Sequence, residues 1–277
     1  MAARGAVRYP AGADRKLLKS AHARTIKELE TRFAATHKTF LRHSELKART
    51  LDKSMALLDV DRDQVKRAVE KQFASNFAYV RKTRRPPKRR PLRGHNPARY
   101  APYDFSWSGK NCGGIAICST YGPNQATGSV GHDLGTIEAG GAAGGAYVGD
   151  WFFSQSEDIW SVSVQARVWG IGLVEAAFGY ANAYAGLQLF VRDDSTDETF
   201  VQTTDIYNNS ADGFGFDWTN VDAYYSAGTV IPVHANTWYE VWGGAVQHAY
   251  AGGVAAGAVS NFDMFIGPIY ASGTIIF

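Results

Sequence analysis

Two grammars of hydrophobic spacing follow one another along this chain. Between residues 14 and about 42, Leu18, His22, Ile26, Leu29, Phe33, Thr36 and Phe40 recur at three- and four-residue spacing with charges between them. That period puts them on one side of an α-helix, and Asp14 stands where an N-cap is expected. The stripe is narrow and diluted by His22 and Thr36, so it predicts a helix that packs on another element rather than one that stands alone. Leu46, Leu51, Met55 and Leu58 predict a second helix over 44–58, and Val65, Val69, Phe73, Phe77 and Val80 a third ending near residue 80. Three short-linked helices suggest a small bundle, or an arm that completes its core against a partner.

From about Tyr103 the period drops to two. Trp160, Val162, Val164, Ala166 and Val168 alternate with Ser161, Ser163, Gln165 and Arg167, the mark of a half-buried strand. Ala181, Ala183, Ala185, Leu187, Leu189 and Val191 form one face of another strand, with Tyr180, Tyr184 and Phe190 on its reverse and a polar turn at 193–197. Further strands are predicted near 114–121, 199–207, 223–231, 237–250 and 254–269. The Gly/Ala stretch from Gly128 to Gly149 offers too few side chains for a core strand and reads as a loop or an edge. Many short strands separated by turn residues predict an antiparallel sandwich of jelly-roll type, with a barrel as the alternative closure.

Between the two grammars lies Arg81 to Leu92 and Arg93, in which eight basic residues and three prolines sit within thirteen positions. Proline removes helix hydrogen bonds and like charges repel, so this segment reads as an extended tether. The expected fold class is an α plus all-β two-part chain. It comprises a basic helical region at 1–80, an Arg/Pro-rich tether at 81–102 and an acidic, aromatic-rich β-sandwich at 103–277.

Charge sharpens that division. Residues 1–100 hold 26 Lys and Arg against 9 Asp and Glu, a net of +17, while residues 101–277 hold 3 against 17, a net of −14. A field of one sign over a whole region governs association rather than fold. The N-terminal region is therefore expected to favour a polyanion, either nucleic acid or an acidic protein face, with Arg81, Lys82, Arg84, Arg85, Lys88, Arg89, Arg90 and Arg93 as its contacts through counterion release. The bland alternative is a solvated spacer. No continuous apolar segment stands behind a charged start, and no run of 18 apolar residues occurs, so the expectation is a cytoplasmic or particle-associated protein, with a membrane partner disfavoured. Cys112 and Cys118, separated by about 20 Å if the chain between them is straight, are expected to be free thiols unless Gly113 and Gly114 turn tightly.

Thr50 to Ala68 resembles a helix-turn-helix. Leu51 and Met55 would lie in its first helix, Leu58 and Val60 at the turn, and Val65 and Ala68 would lock the second helix. Arg62, Gln64, Lys66 and Arg67 would then read DNA in the major groove. Met55 and Asp59 depart from the small residue and the glycine such a motif uses. The resemblance would imply a DNA-binding regulator with a ligand-sensing β domain. Asp59, Asp61, Asp63 and Glu70 also match calcium-loop spacing, but Gln64 stands where that loop needs glycine, and helix capping explains the same carboxylates.

The chemistry of catalysis is sparse. Glu138, Glu157, Glu175 and Glu240 form no compact acid pair of the kind glycan hydrolases need, and His132, His234 and His248 are isolated. No catalytic, metal or cofactor set is expected. A carbohydrate-active enzyme remains an alternative. So does a membrane β-barrel or pore former, because the ending Ile275-Ile276-Phe277 resembles the closing strand of outer-membrane barrels. A basic arm joined to a sandwich likewise resembles the plan of icosahedral virus coat proteins, at the level of fold alone.

All seven Trp fall in residues 101–277. Aromatic faces suit sugar rings and protein hot spots, and the Gly/Asp-rich stretch around Gly213 reads as a loop that displays them. The expected ligand site is Phe214, Phe216, Trp218, Tyr224 and Tyr225. The leading expectation is a non-enzymatic binding or assembly protein that forms homo-oligomers. Its sandwich recognises a protein or glycan surface, and its basic arm anchors it to a polyanion or larger particle.

Overall fold

The computed structural model describes residues 13–31, 61, 64, 67, 71, 98–120, 122–213 and 215–273. Helix α1 spans residues 15–31, and seven strands follow: β1 Ala98–Arg99, β2 Phe105–Thr120, β3 Ser129–Ser154, β4 Asp158–Asp193, β5 Thr199–Asp212, β6 Gly215–Val233 and β7 Thr237–Gly273. All pairings are antiparallel, in the order β2-β3-β7-β4-β5, with β1 added to β7 and β6 to β4.

The strands are too long to be straight. β4 has 36 residues, about 120 Å if fully extended at 3.3 Å per residue. Yet Trp160 near its start lies 5.3 Å, ring to ring, from Tyr239, which pairs with Asp193 at its end. The whole sheet is folded over on itself. β6 flanks the first half of β4 (158–176) and β5 the second (180–192), while β7 follows β4 through both halves. The crease crosses β2 at Gly114 (φ 69°), β3 between Ile137 and Gly140, β4 near Gly179, and β7 at Gly253 (φ 101°). Left-handed backbone of that kind is open to glycine at little steric cost.

Folding over turns one sheet into two layers with a shared core. The first layer holds β6 and residues 129–137, 158–176 and 256–273; the second holds β5 and residues 140–154, 180–193 and 237–251. Val162, Val164 and Val168 of the first pack with Ala183, Leu187, Leu189 and Val241 of the second, all fully buried. This is the antiparallel, jelly-roll-like sandwich the period-two pattern predicts, with a helix before it.

Three expectations are corrected. The Gly/Ala stretch within 128–149 is neither loop nor edge but part of β3, paired on both sides by β2 and β7. Its small residues admit neighbours that a Cβ would displace, the His132 ring over Gly144 and the His22 ring over Gly145. Cys112 and Cys118 are joined as a disulfide, with Cα atoms 6.6 Å apart, because the bulge between Gly114 and Ala116 shortens a span that a straight strand would hold open. Residues 215–218 belong to strand β6 rather than to a loop.

Helix α1 shows why its stripe is narrow. Asp14 caps it, accepting the Lys16 N–H at 2.7 Å, and Leu18, Ala21, His22 and Leu29 are buried against the outer face of the second layer. The surface that completes the helix is therefore this chain's own sheet. The predicted second and third helices lie outside the described residues apart from 61, 64, 67 and 71, of which the last three are helical.

Candidate functional site

The two outer faces of the sandwich differ in what covers them. Beneath α1, the second layer presents Phe105, Tyr147, Trp151, Phe190 and Trp242, all buried together with Leu18 and Ala21. Polar groups fasten the helix to this face. Glu240, fully buried, accepts the Asp14 N–H at 2.7 Å, an Arg192 guanidinium N–H at 2.7 Å and the Trp242 indole N–H at 3.2 Å. Tyr147 donates its hydroxyl to Gln188 at 2.7 Å, and Gln188 donates on to Thr25 at 3.1 Å and Thr203 at 3.0 Å. The His22 ring lies 3.2 Å from the same Tyr147 hydroxyl, and burial lowers its pKa to about 4, so it is neutral. This face is committed to structure.

The first layer is different at its rim. Along β6 the even positions Phe216, Trp218, Asn220, Asp222 and Tyr224 face outward, while Val221, Ala227, Ile231 and Val233 are buried in the core. Phe216, Trp218 and Tyr224 are 56%, 49% and 58% exposed. Trp218 stands about 7 Å along the strand from Phe216, and Tyr224 a further 20 Å or so. Three of the five expected ligand residues thus share one exposed strand face. Tyr225 has the opposite parity and packs against the core, and Phe214 lies outside the described residues.

Polar groups flank these rings. Arg167, opposite Tyr224 on β4, places its guanidinium 5.9 Å from the Tyr224 ring centre and donates to both carboxylate oxygens of Asp222 at 3.1–3.2 Å. Behind them Trp169 and Phe265 lie 4.7 Å apart, ring to ring. Sequence reasoning missed Arg167 and Asp222. The available signal was parity: positions 216 to 224 share a face, and Arg167 is polar in the strand whose other face is apolar.

The remaining candidates fall apart as a catalytic set. Glu175 and Glu240 lie on opposite outer faces, and Glu240 is paired with Arg192. His132 lies inside the sandwich over Gly144, its pKa lowered to about 4 by burial, and burial lowers His248 equally. His234 is exposed and bonds Asp193 at 2.8 Å, which raises its pKa. Burial acts to raise the Asp193 carboxyl, but donors from Ser195, His234 and Tyr239 outweigh it and hold the pKa at about 2. That group locks the 193–198 turn, and Asp193, Ser195 and Tyr239 are all engaged in doing so. Among the described residues no three His, Cys, Asp or Glu side chains gather to hold a metal ion, and no helix is long and apolar enough to cross a membrane. Arg81 to Arg93, Arg62 and Lys66 lie outside the described residues; Gln64 and Arg67 are exposed helical positions, with Arg67 3.9 Å from Asp61.

No protein-family model matches the chain, and no curated protein does. Solved structures that it resembles include TmCBM61 in complex with β-1,4-galactotriose, at 9% identity over 57% of this chain and 88% of that one, with a TM-score of 0.21. A family 11 carbohydrate-binding module from Clostridium thermocellum, in complex with a β-1,3-1,4-mixed-linked tetrasaccharide, gives 11%, 57%, 88% and 0.20. The enzymatically active domain of tailspike protein 4 of bacteriophage CBA120 gives 12% identity over 59% of this chain and 19% of that one, with a TM-score of 0.25. Scores of this size equate these chains neither in fold nor in function, so the site is judged on its own geometry.

Proposed function

We propose that this chain is a non-enzymatic binding protein whose sandwich holds a glycan against the outer face of β6. The observation that carries this reading is the exposure of Phe216, Trp218 and Tyr224 on one strand face, beside Asn220, Asp222 and Arg167. A sugar ring offers an apolar C–H face that stacks on an aromatic ring and a hydroxyl rim that bonds to amide, carboxylate and guanidinium groups. Strand positions two residues apart keep such rings on one side without help from the ligand. The partition of charge, +17 in residues 1–100 against −14 beyond, supports a second element: the basic region anchors the chain to a polyanion or a larger particle.

The test is retention of the full chain on an array of plant, bacterial and animal glycans, repeated with Trp218→Ala and Tyr224→Ala. The expected result is binding to a restricted glycan class, weakened at least tenfold by either change. Retention on no glycan, or retention untouched by both changes, contradicts the proposal. For the basic region, binding to heparin and to mixed-sequence DNA should fall steeply between 50 and 200 mM salt. Strong preference for one duplex would favour the regulator alternative instead.

A further inference from the structure

At one edge of the first layer the segment 122–128 before β3 closes against β7 beside Phe265 and Ile266 and leaves an open cleft of about 910 Å³, within the usual range of small-molecule sites. Ten residues line it, and none is charged, although residues 101–277 carry twenty charged side chains. Its polar wall is made of Asn124, Gln125, Thr127 and Ser129, and its apolar wall of Tyr103 and Phe265. Carboxamides and hydroxyls both donate and accept, which matches hydroxyl-rich ligands, and the lining supplies no opposite charge to favour an anion or an ammonium group.

The wall is set in place before any ligand arrives. The Asn124 carbonyl accepts the Thr127 and Gly128 N–H groups at 3.1 and 2.8 Å, the Asn124 N–H reaches Ser129 at 2.9 Å, and Gln125 accepts the Tyr103 N–H at 3.0 Å. Gly128 in turn accepts the Ile266 N–H at 2.8 Å, tying the turn to β7 beside Phe265. The backbone is thus occupied, and among the described residues no hydrogen bond uses the side chains of Asn124 or Gln125. The ring of Phe265 is backed by Trp169.

Two lining residues of the cleft lie in register with the aromatic rim. Tyr224 pairs with Arg167, Arg167 with Phe265, and Phe265 with Ser129, one row running across β6, β4, β7 and β3. Three inter-strand spacings of about 4.8 Å make the row roughly 14 Å long, the scale of a short oligosaccharide. From cavity, lining and register, we infer that the cleft is the end subsite of the glycan path, and that it takes an uncharged sugar ring. The inference rests on the glycan reading of β6 and adds to it a direction, a length and a charge class.

The test is calorimetric titration of the full chain with neutral cello-, xylo- and β-1,4-galacto-oligosaccharides of two to six rings, and with oligogalacturonides of the same lengths as the charged control. In the native chain affinity for one neutral series should climb at least tenfold between two rings and six, because a chain from the cleft past Tyr224 to Trp218, about 20 Å further along β6, needs more than four rings, with the uronides binding at least tenfold more weakly. The double change Asn124→Ala, Gln125→Ala alters a surface turn and should leave the melting temperature intact while abolishing the gain with length. Tyr224→Ala should weaken every length alike. If the double variant keeps the native length dependence, or if uronides bind as well as neutral chains, the cleft assignment is overturned while the β6 reading stands. If the native chain binds no oligosaccharide in any series, both are overturned.

Discussion

The two outer faces of this sandwich draw on the same residue types for opposite ends. On the second layer Trp151, Trp242, Tyr147 and Phe190 are buried under α1 and stitched to it through Glu240, Arg192, Gln188 and His22. On the first, Trp218, Phe216 and Tyr224 stand roughly half exposed along β6. A surplus of aromatic residues is therefore not itself a binding signature. What separates structural from functional rings is whether another element of the chain supplies their partner.

That contrast can be broken most sharply by truncation. Trp242→Ala removes a fully buried ring from between sheet and helix and should cost about 3–5 kcal/mol, read by urea unfolding. A loss below about 1 kcal/mol would mean that the helix-covered face is not part of the core. Glu240→Ala should cost less, about 1–3 kcal/mol, because it leaves the Asp14 N–H and the Trp242 indole N–H without their acceptor while Arg192 keeps Asp194 and Asp197.

The next effect is acid lability. His22, His132 and His248 have folded-state pKa values near 4 against 6.5 in the open chain. Above pH 6.5 all are neutral in both states and the full stability is present. As the pH falls, the unfolded chain takes up protons first, and stability declines until the pH has dropped through about 4. Each histidine accounts for on the order of 3 kcal/mol at that point. His22→Leu should flatten the unfolding free energy against pH between 6.5 and 4, and an unchanged slope would show that His22 titrates freely. Asp150 acts in the opposite sense. Burial, then the neighbouring Asp104 carboxyl, push it up to about 7, so it loses stability as the pH rises from 4 toward 7. Asp150→Asn keeps an acceptor for the Trp151 N–H and should stabilise the domain near pH 8 by about 1 kcal/mol, the figure being reduced for its partial exposure. The smallest stability effect belongs to Trp218→Ala, about 0.5 kcal/mol, since half of the side chain already faces solvent on an outer strand face.

Legibility followed local chemistry. Periodicity alone located the strand at Trp160–Val168, both faces of Ala181–Val191, the polar turn at 193–197 and the cap at Asp14, because each is determined by neighbours in sequence. It failed where structure depends on distant backbone. Gly144 and Gly145 look like loop residues until His132 and His22 are seen lying over them. The disulfide depends on a turn and bulge at Gly114, which the paired glycines permit but spacing alone does not select. The doubling of every long strand was invisible too, since a crease leaves the alternation running and only shifts its phase. Phe216 and Trp218 were found for their exposure but attributed to a loop, while Tyr224 was placed in a strand expected to begin only at 223. The cleft joins residues 102–103, 122–127, 129 and 265, and no local signal connects them.

The most direct test of the contrast is hydroxyl-radical footprinting of the full chain, read tryptophan by tryptophan with and without a glycan that the array retains. Trp218 should be modified readily in the free protein and protected by ligand, while Trp151 and Trp242 stay unmodified in both conditions. Ready modification of Trp151 and Trp242, with glycan protection appearing there and not at Trp218, would reverse the roles assigned to the two faces.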